Sequence, residues 1–275
     1  MISRRTALAG LAGLTGTAMA GCAGRQAATR PGTGTQAASA STPSGLDAVI
    51  DISHNVTVTD FTAIRRSNIL AVLHKATEGG DWVDPSYGLR RSQAEQAGLL
   101  WGAYHFGTRQ YSGADQAMAF LAVARPGPTT LVALDLEPND HNPRNTMTLA
   151  QAEAFVVTVQ RNTGRLPVVY THPSWANGQV YGRRRLRLDQ PVLPGSLLAR
   201  CDLWLADYRE EPEIPIAWAD RGWRLWQYAA NHTEADVAYG SAARTVDGVS
   251  HCDRNLFAGD EKALYQFWKV RPGAV

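Results

Sequence analysis

From residue 46 onward the chain alternates between short β-rich runs and longer stretches whose apolar residues return at helical spacing. The runs are Ala48 to Ser53, Leu70 to Lys75, Leu100 to Phe106, Leu131 to Glu137, Pro167 to Thr171, Leu203 to Tyr208, Arg224 to Tyr228 and Val246 to Ser250. Strands separated by helices predict parallel pairing with crossover connections, and eight of them suit a closed barrel. Two helices carry readable ends. Asp84-Pro85 reads as an N-cap followed by proline, with Gly98 closing that helix; Thr148 and Gln151 form a capping-box pattern ahead of Leu149, Ala152, Val156 and Val159, with Gly164 at the end. Beyond the fifth run the helical pattern fades. The fold class expected is α/β, a single TIM-like barrel whose last three strands are joined by loops.

The first residues follow a different pattern. Ser3-Arg4-Arg5 precedes a weakly apolar Ala/Gly/Leu run ending in Met19-Ala20-Gly21-Cys22, which reads as an export signal over residues 1–22 and is too short to span a bilayer. The paired arginines resemble a twin-arginine signal, with general secretion as the other route. The end of the run resembles a bacterial lipobox, in which Cys22 becomes the acylated first residue. Residues 23–45, rich in Ala, Thr, Gly, Ser and Gln, read as a disordered tether, leaving 46–270 as the barrel domain. The expected location is therefore the exterior: a membrane-anchored lipoprotein facing the cell surface or periplasm, or else a secreted protein.

Composition narrows the function. A net charge of +2, with no basic stripe interleaved with aromatics, points away from nucleic acid. The Cys/His spacings suit no zinc site, and neither a Gly-x-Ser-x-Gly elbow nor a phosphate-binding Gly-x4-Gly-Lys run is present, so no metal and no cofactor is expected. Once Cys22 is assigned to lipid, Cys201 and Cys252 form an even remainder in an oxidising compartment, and a disulfide between them is a possibility that sequence leaves open.

The chemistry concentrates in Leu131-Val132-Ala133-Leu134-Asp135-Leu136-Glu137-Pro138. Strand side chains alternate, so Asp135 and Glu137 project to one side, and two like charges at that spacing push one pKa upward. A protonated carboxyl beside an ionised one can protonate a glycosidic oxygen while the developing positive charge is stabilised. Asp51 ends the first run, and Asp253 follows the last. First and last strands of a closed barrel are neighbours, so both acids can face the pair across one mouth.

The order of motifs along the domain resembles the glycoside hydrolase family 25 lysozymes, the Chalaropsis-type N-acetylmuramidases. The matching pieces are Asp51-Ile52-Ser53-His54, Lys75-Ala76-Thr77-Glu78-Gly79, Val83-Asp84-Pro85, Gly102-Ala103-Tyr104-His105-Phe106, Leu134-Asp135-Leu136-Glu137, Val169-Tyr170-Thr171, Leu203 to Tyr208, Leu225-Trp226-Gln227-Tyr228 and Asp253-Arg254-Asn255-Leu256-Phe257. The resemblance implies a (β/α)5(β)3 barrel and cleavage of the β-1,4 bond between N-acetylmuramic acid and N-acetylglucosamine in peptidoglycan. It matches Glu137 to the catalytic acid, Asp135 to its partner, and Asp51 and Asp253 to the other acids of the cleft. Either a substrate-assisted or an inverting route fits.

Aromatic faces near strand ends can stack on sugars, which makes Tyr104, Tyr170, Trp204, Trp226 and Tyr228 candidate substrate contacts, with Lys75 and Gln227 as polar ones. Residues 173–200 and 229–246 are longer than the family's usual connections and bear on substrate length. The run Arg183-Arg184-Arg185-Leu186-Arg187 suits either solvent or an anionic wall polymer. A monomer is expected, with peptidoglycan glycan strands and, through Cys22, a membrane as partners. Two rival readings are a catalytically silent peptidoglycan-binding lipoprotein and a chitinase-like hydrolase, whose Asp-x-Asp-x-Glu pattern is broken here by Ala133.

Overall fold

The first strand, β1 (Leu46–Ile52), is buried along most of its length and pairs on both edges, which commits the sheet to closing on itself. The computed structural model describes residues 45–230 and 245–269, so the signal, the tether, Cys22 and most of the 229–246 connection lie outside the described residues. After β1 come α1 (Phe61–Arg66), β2 (Ala71–Glu78), a short β3 (Trp82–Val83), α2 (Tyr87–Gln96), β4 (Leu100–Phe106), α3 (Gly113–Ala124) and β5 (Thr130–Asp135). The chain continues with α4 (Leu149–Thr163), β6 (Val168–Thr171), the single turn α5 (Pro173–Ala176), β7 (Leu203–Ala206), β8 (Leu225–Ala229), β9 (Asp253–Phe257) and α6 (Glu261–Trp268).

The barrel order is β1-β9-β8-β7-β6-β5-β4-β2, closed by parallel β1–β2 pairing; β3 hangs antiparallel on the end of β2. Every barrel pairing is parallel except those of β9, which runs antiparallel to both β8 and β1. This corrects the expected eighth strand. Residues 246–250 form no strand, although Val249 makes an isolated bridge to Val58, and Asp253 opens the true strand instead of following it. Because β9 is antiparallel, its first residue stands at the level where the parallel strands end.

Alternation divides the core into two layers. Val49, Leu73, Leu131, Ala133, Val168, Trp204, Leu225 and Phe257 fill the barrel, while Ile50, Val72, Trp101, Val132, Leu134, Val169, Leu205 and Trp226 face outward. The outer layer meets Ile64 of α1, Ala94 of α2, Phe120 of α3 and Phe155 and Val159 of α4. Each such large side chain stabilises the fold by about 1.5–3 kcal/mol through burial.

The helix ends follow local chemistry. Thr148 Oγ1 accepts from Gln151 N at 3.2 Å and Gln151 Oε1 accepts from Thr148 N at 3.1 Å, the expected capping box, and Gly164 closes α4 at φ +71°. α2 begins later than Asp84-Pro85 suggested. Asp84 instead shapes the turn before it, accepting from Ser86 N at 2.9 Å and from His54 N at 2.9 Å.

α6 closes the floor of the barrel. Its Leu264 and Trp268 join the inner core, and Trp268 Nε1 donates to Trp101 O at 2.8 Å near the start of β4. Arg165, just ahead of β6, donates to Phe267 O at 2.6 Å and Trp268 O at 3.3 Å, placing a cation on the C-terminal carbonyls of the helix. Only the opposite end, where the parallel strands finish, is left for a site.

Cys201 and Cys252 are buried, and no disulfide joins them. Cys201 lies ahead of β7 at floor level, whereas Cys252 precedes Asp253, which pairs with Asp51 at the mouth. Four or more residues of strand separate the two levels, on the order of 13 Å at the usual rise, so a disulfide is ruled out by position. Burial pushes the Cys201 thiol up to about 12 and raises that of Cys252 as well.

Candidate active site

At the mouth the inward positions change from apolar to polar. On β5, Leu131 and Ala133 are inner and Val132, Leu134 and Leu136 are outer, so the alternation carries Asp135 and Glu137 to the mouth side. Asp135 is 7% exposed, and Glu137, two residues on and just past the strand, is half-buried. Leu136 N still donates to Tyr170 O at 2.9 Å, which extends the pairing with β6 as far as the acids.

Across the mouth, Asp51 stands opposite Asp253 in the β1–β9 register. One oxygen of Asp51 accepts from Gln227 Nε2 at 2.9 Å and from Asn255 Nδ2 at 2.8 Å. Both amides are oriented from behind: Tyr170 Oη and Tyr208 Oη donate to Gln227 Oε1 at 2.9 and 2.8 Å, and Trp204 Nε1 donates to Asn255 Oδ1 at 2.6 Å. Each chain of donors therefore ends on the same oxygen of Asp51. Gln227 Nε2 also reaches Asp253 Oδ2 at 3.4 Å. Tyr170 pairs in register with Asp135, so β1, β9, β8, β6 and β5 are linked around the rim.

Lys75 stands in the second half of β2 with Nζ 2.6 Å from Glu78 Oε2, and it lies over the rings of Trp82 at 5.0 Å and Phe106 at 4.8 Å. Tyr104 and Tyr170 turn their edges to Trp204, with centroids at 6.0 and 4.8 Å. Trp204 is 2% exposed, so its indole supports Asn255 and Tyr170 from inside the barrel and offers no open face to a sugar.

Trp226 and Tyr228 occupy the opposite side of the sheet from the mouth. Gln227 between them points inward, so both neighbours point out, and both belong to the outer core. Trp226 Nε1 donates to Asp207 O at 2.6 Å, and Tyr228 Oη donates to Asp47 Oδ2 at 3.0 Å beside the buried Arg254–Asp47 pair at 2.7 Å. Burial and the nearby Asp47 charge raise the pKa of Tyr228. Their expected role as substrate contacts is thus replaced by one in holding β8 and β9.

The family model for Glycosyl hydrolases family 25 matches residues 50–237. This chain belongs to glycosyl hydrolase family 25. The family 25 hydrolase is 28% identical over 233 residues to "Lysozyme M1" of Streptomyces globisporus, covering 78% of this chain and 69% of that one. It is 32% identical over 138 residues to an N,O-diacetylmuramidase of Chalaropsis sp, covering 46% and 65%. Among solved structures, the bacterial lysozyme from Streptomyces coelicolor superposes with a TM-score of 0.65 at 27% identity, over 81% of this chain and 96% of that one. The family 25 lysozyme from Aspergillus fumigatus does so at 0.60 and 25% identity, over 80% and 98%.

The site of this family 25 hydrolase includes side chains that sequence reading passed over. Asn255 is the second donor to Asp51, and Tyr208 the second donor to Gln227. The alternation of Asp253, Asn255 and Phe257 signals Asn255 once that segment is read as a strand. Trp82, half-buried, sits between Lys75 and His54, whose ring centroid is 5.2 Å away. His54 is fixed by Asp84 at 3.1 Å, so the turn Asp51 to His54 is tied to β3 and the start of α2.

Proposed function

We propose that this glycoside hydrolase cleaves the β-1,4 bond between N-acetylmuramic acid and N-acetylglucosamine in peptidoglycan, with Glu137 as general acid and base and Asp135 as its assistant. The observation that carries this reading is the rim: the acids share the single end of the barrel that α6 does not fill, and two oriented amides hold Asp51 as an acceptor beside them. The names of the S. globisporus and Chalaropsis relatives support the same substrate.

In this reading Glu137 gives its proton to the leaving oxygen while the carbonyl oxygen of the sugar's 2-acetamido group attacks the anomeric carbon. Asp135 orients that group and stabilises the positive charge on its nitrogen. Glu137, now ionised, takes a proton from water, which opens the cyclic intermediate with net retention. Asp51, Asp253, Lys75, Tyr104 and Tyr170 contact the sugars, while Trp204 and Gln227 hold that surface in place. Reducing ends released from purified peptidoglycan by native protein and by Glu137→Gln test the assignment; equal rates in both would sink it. Mass spectrometry of the products identifies the bond from the sugar at the new reducing end. Proton NMR of the first-formed anomer separates retention from inversion.

The N-terminal reading belongs to the same proposal: export over residues 1–22, acylation at Cys22 and a tether over 23–45 that carries the barrel outward from a membrane. The Arg4-Arg5 pair and the Ala20-Gly21-Cys22 ending support it. Membrane association that persists in fractionated cells carrying Cys22→Ala would overturn the anchor.

A further inference from the structure

Beside the mouth, the loops that follow β4, β5 and β6 enclose a cavity of about 200 Å³ that the proposed chemistry does not use. Its polar wall consists of Arg109, Thr146, Arg187 and Asp189, and its apolar wall of Pro143, Met147, Trp175 and Leu186. Trp175 is fully buried and backs the wall. Both arginines are exposed and, among the described residues, neither makes an ion pair.

The cavity is coupled to the acid-bearing loop. Thr146 lines it, and Thr146 Oγ1 accepts from Asn139 N at 3.0 Å, two residues beyond Glu137. Arg109 N donates to both the backbone and side-chain oxygens of Asn145 in the same loop at 3.1 Å. On the other side, the basic run singled out in the sequence forms a tight hairpin. Tyr181 N donates to Leu186 O at 2.7 Å and Leu186 N returns to Tyr181 O at 3.1 Å, leaving Arg183 to Arg185 in solvent at the tip while Leu186 and Arg187 join the cavity wall.

We propose that this cavity binds a carboxylate-bearing end of the peptide stem carried by the muramic residue, making Arg109 and Arg187 specificity determinants for stem-bearing glycan. The proposal rests on the peptidoglycan reading above and deepens it. Two guanidiniums are donors for a carboxylate. Asp189 uses Oδ1 to cap α4 at Leu149 N, 2.9 Å away, and its carboxylate favours the N–H or ammonium groups of a peptide. The apolar wall suits short alkyl side chains. A peptide end brings amide N–H or ammonium groups for Asp189 alongside its carboxylate, whereas a polyol phosphodiester offers Asp189 only hydroxyls, which favours the peptide.

The test compares native protein with the Arg109→Gln/Arg187→Gln double variant on two substrates, intact glycan chains and the same chains with stems removed by an amidase. The ratio of kcat/KM on stem-bearing to stem-free glycan falls about tenfold in the variant, with the change in KM, as expected for losing charge-assisted hydrogen bonds made before the reaction. An unchanged ratio, including an equal loss on both substrates, overturns the proposal. Titration calorimetry in a Glu137→Gln background, with a stem-bearing and a stem-free tetrasaccharide as probes, gives the same comparison without turnover. A protein that proves inactive would thus defeat the hydrolase reading while the stem site was still being measured. In a third arm, walls are stripped of phosphodiester polymers with hydrofluoric acid; affinity that drops there and survives stem removal overturns the carboxylate assignment in favour of phosphate.

Discussion

The floor and the mouth of the barrel are built from the same inward-facing positions of the same strands, yet they have opposite chemistry. At the floor, Leu225, Phe257 and Trp268 interlock without a charged group, whereas at the mouth the next inward positions along the strands are Gln227, Asn255 and Asp253. One or two strand steps separate a region whose substitutions are expected to change stability from one whose substitutions are expected, on the proposed function, to change turnover. A barrel tolerates a cluster of acids at one end because the other supplies the apolar burial that keeps the strands registered.

The largest contrast comes from exchanging a single group at each end. Glu137→Gln removes the proposed proton donor with almost no change in volume, and kcat is expected to fall by about 10²–10⁴ in a reducing-end assay. The melting temperature stays within a degree or two of native. Trp268→Ala does the reverse: it opens a cavity beneath the inner core and deprives Trp101 O of its donor, costing about 3–5 kcal/mol in urea unfolding. Turnover measured well below the melting temperature changes little. Loss of stability in Glu137→Gln, or an intact unfolding midpoint in Trp268→Ala, would erase the division between the two ends.

Acid sharpens the comparison, because it acts between them. His105 on β4 is fully buried, accepts from Thr77 Oγ1 through Nδ1 at 2.8 Å and donates through Nε2 to Gln116 Oε1 at 3.1 Å. Gln116 spends its own N–H groups on Thr108 O and Tyr111 O, which fixes its oxygen as the acceptor and His105 Nε2 as the donor. Burial holds His105 at about 4, and His74, buried on β2, at about 4 as well. Both values lie below that of an unfolded histidine, so the unfolded chain binds protons first as pH falls. The stabilisation is complete above about pH 6.5 and is lost towards pH 4, at about 3 kcal/mol per histidine at most. Burial holds His172 at about 4 too, so urea midpoints measured from pH 7 to 4 show this slope from three histidines, and His105→Gln removes roughly a third of it; an unchanged slope would mean the ring is not buried neutral.

How far the sequence could be read divides along the same axis. The parallel strands were legible because their apolar runs are continuous, and α4 was legible from Thr148, Gln151 and Gly164. β9 was not, since two of its five residues are charged and its inward mouth positions are Asp253 and Asn255, leaving Leu256 and Phe257 as its only apolar signal. The more apolar stretch at 246–250 took its place, and with it went the chance of finding Asn255. The acids were visible from their positions at strand ends. Trp226, Gln227 and Tyr228 were not separable by composition, but three consecutive strand residues cannot share a face, and the inward turn of Gln227 decides which two leave the mouth. The cysteines needed the third dimension, because nothing local tells that one precedes a parallel strand at the floor and the other an antiparallel strand at the rim.

The smaller predictions probe how tightly the rim is held. Asn255→Leu removes one donor from Asp51 and leaves Trp204 Nε1 without its acceptor, which costs about 1–3 kcal/mol of stability. It also lowers kcat/KM, because the side chain of Asp51 loses one of the two amides that fix it. Tyr208→Phe is milder. Gln227 Oε1 keeps Tyr170 as a donor after the second phenol is gone, so the expected cost is about 0.5–1.5 kcal/mol, with the same sign on kcat/KM and a smaller size. The double variant tests whether these residues act as one network: both chains end on a single carboxylate oxygen, so the losses in kcat/KM combine to less than their sum. Strict additivity in that cycle would mean that Gln227 and Asn255 hold Asp51 independently, and the rim would then be a set of separate contacts around a rigid barrel.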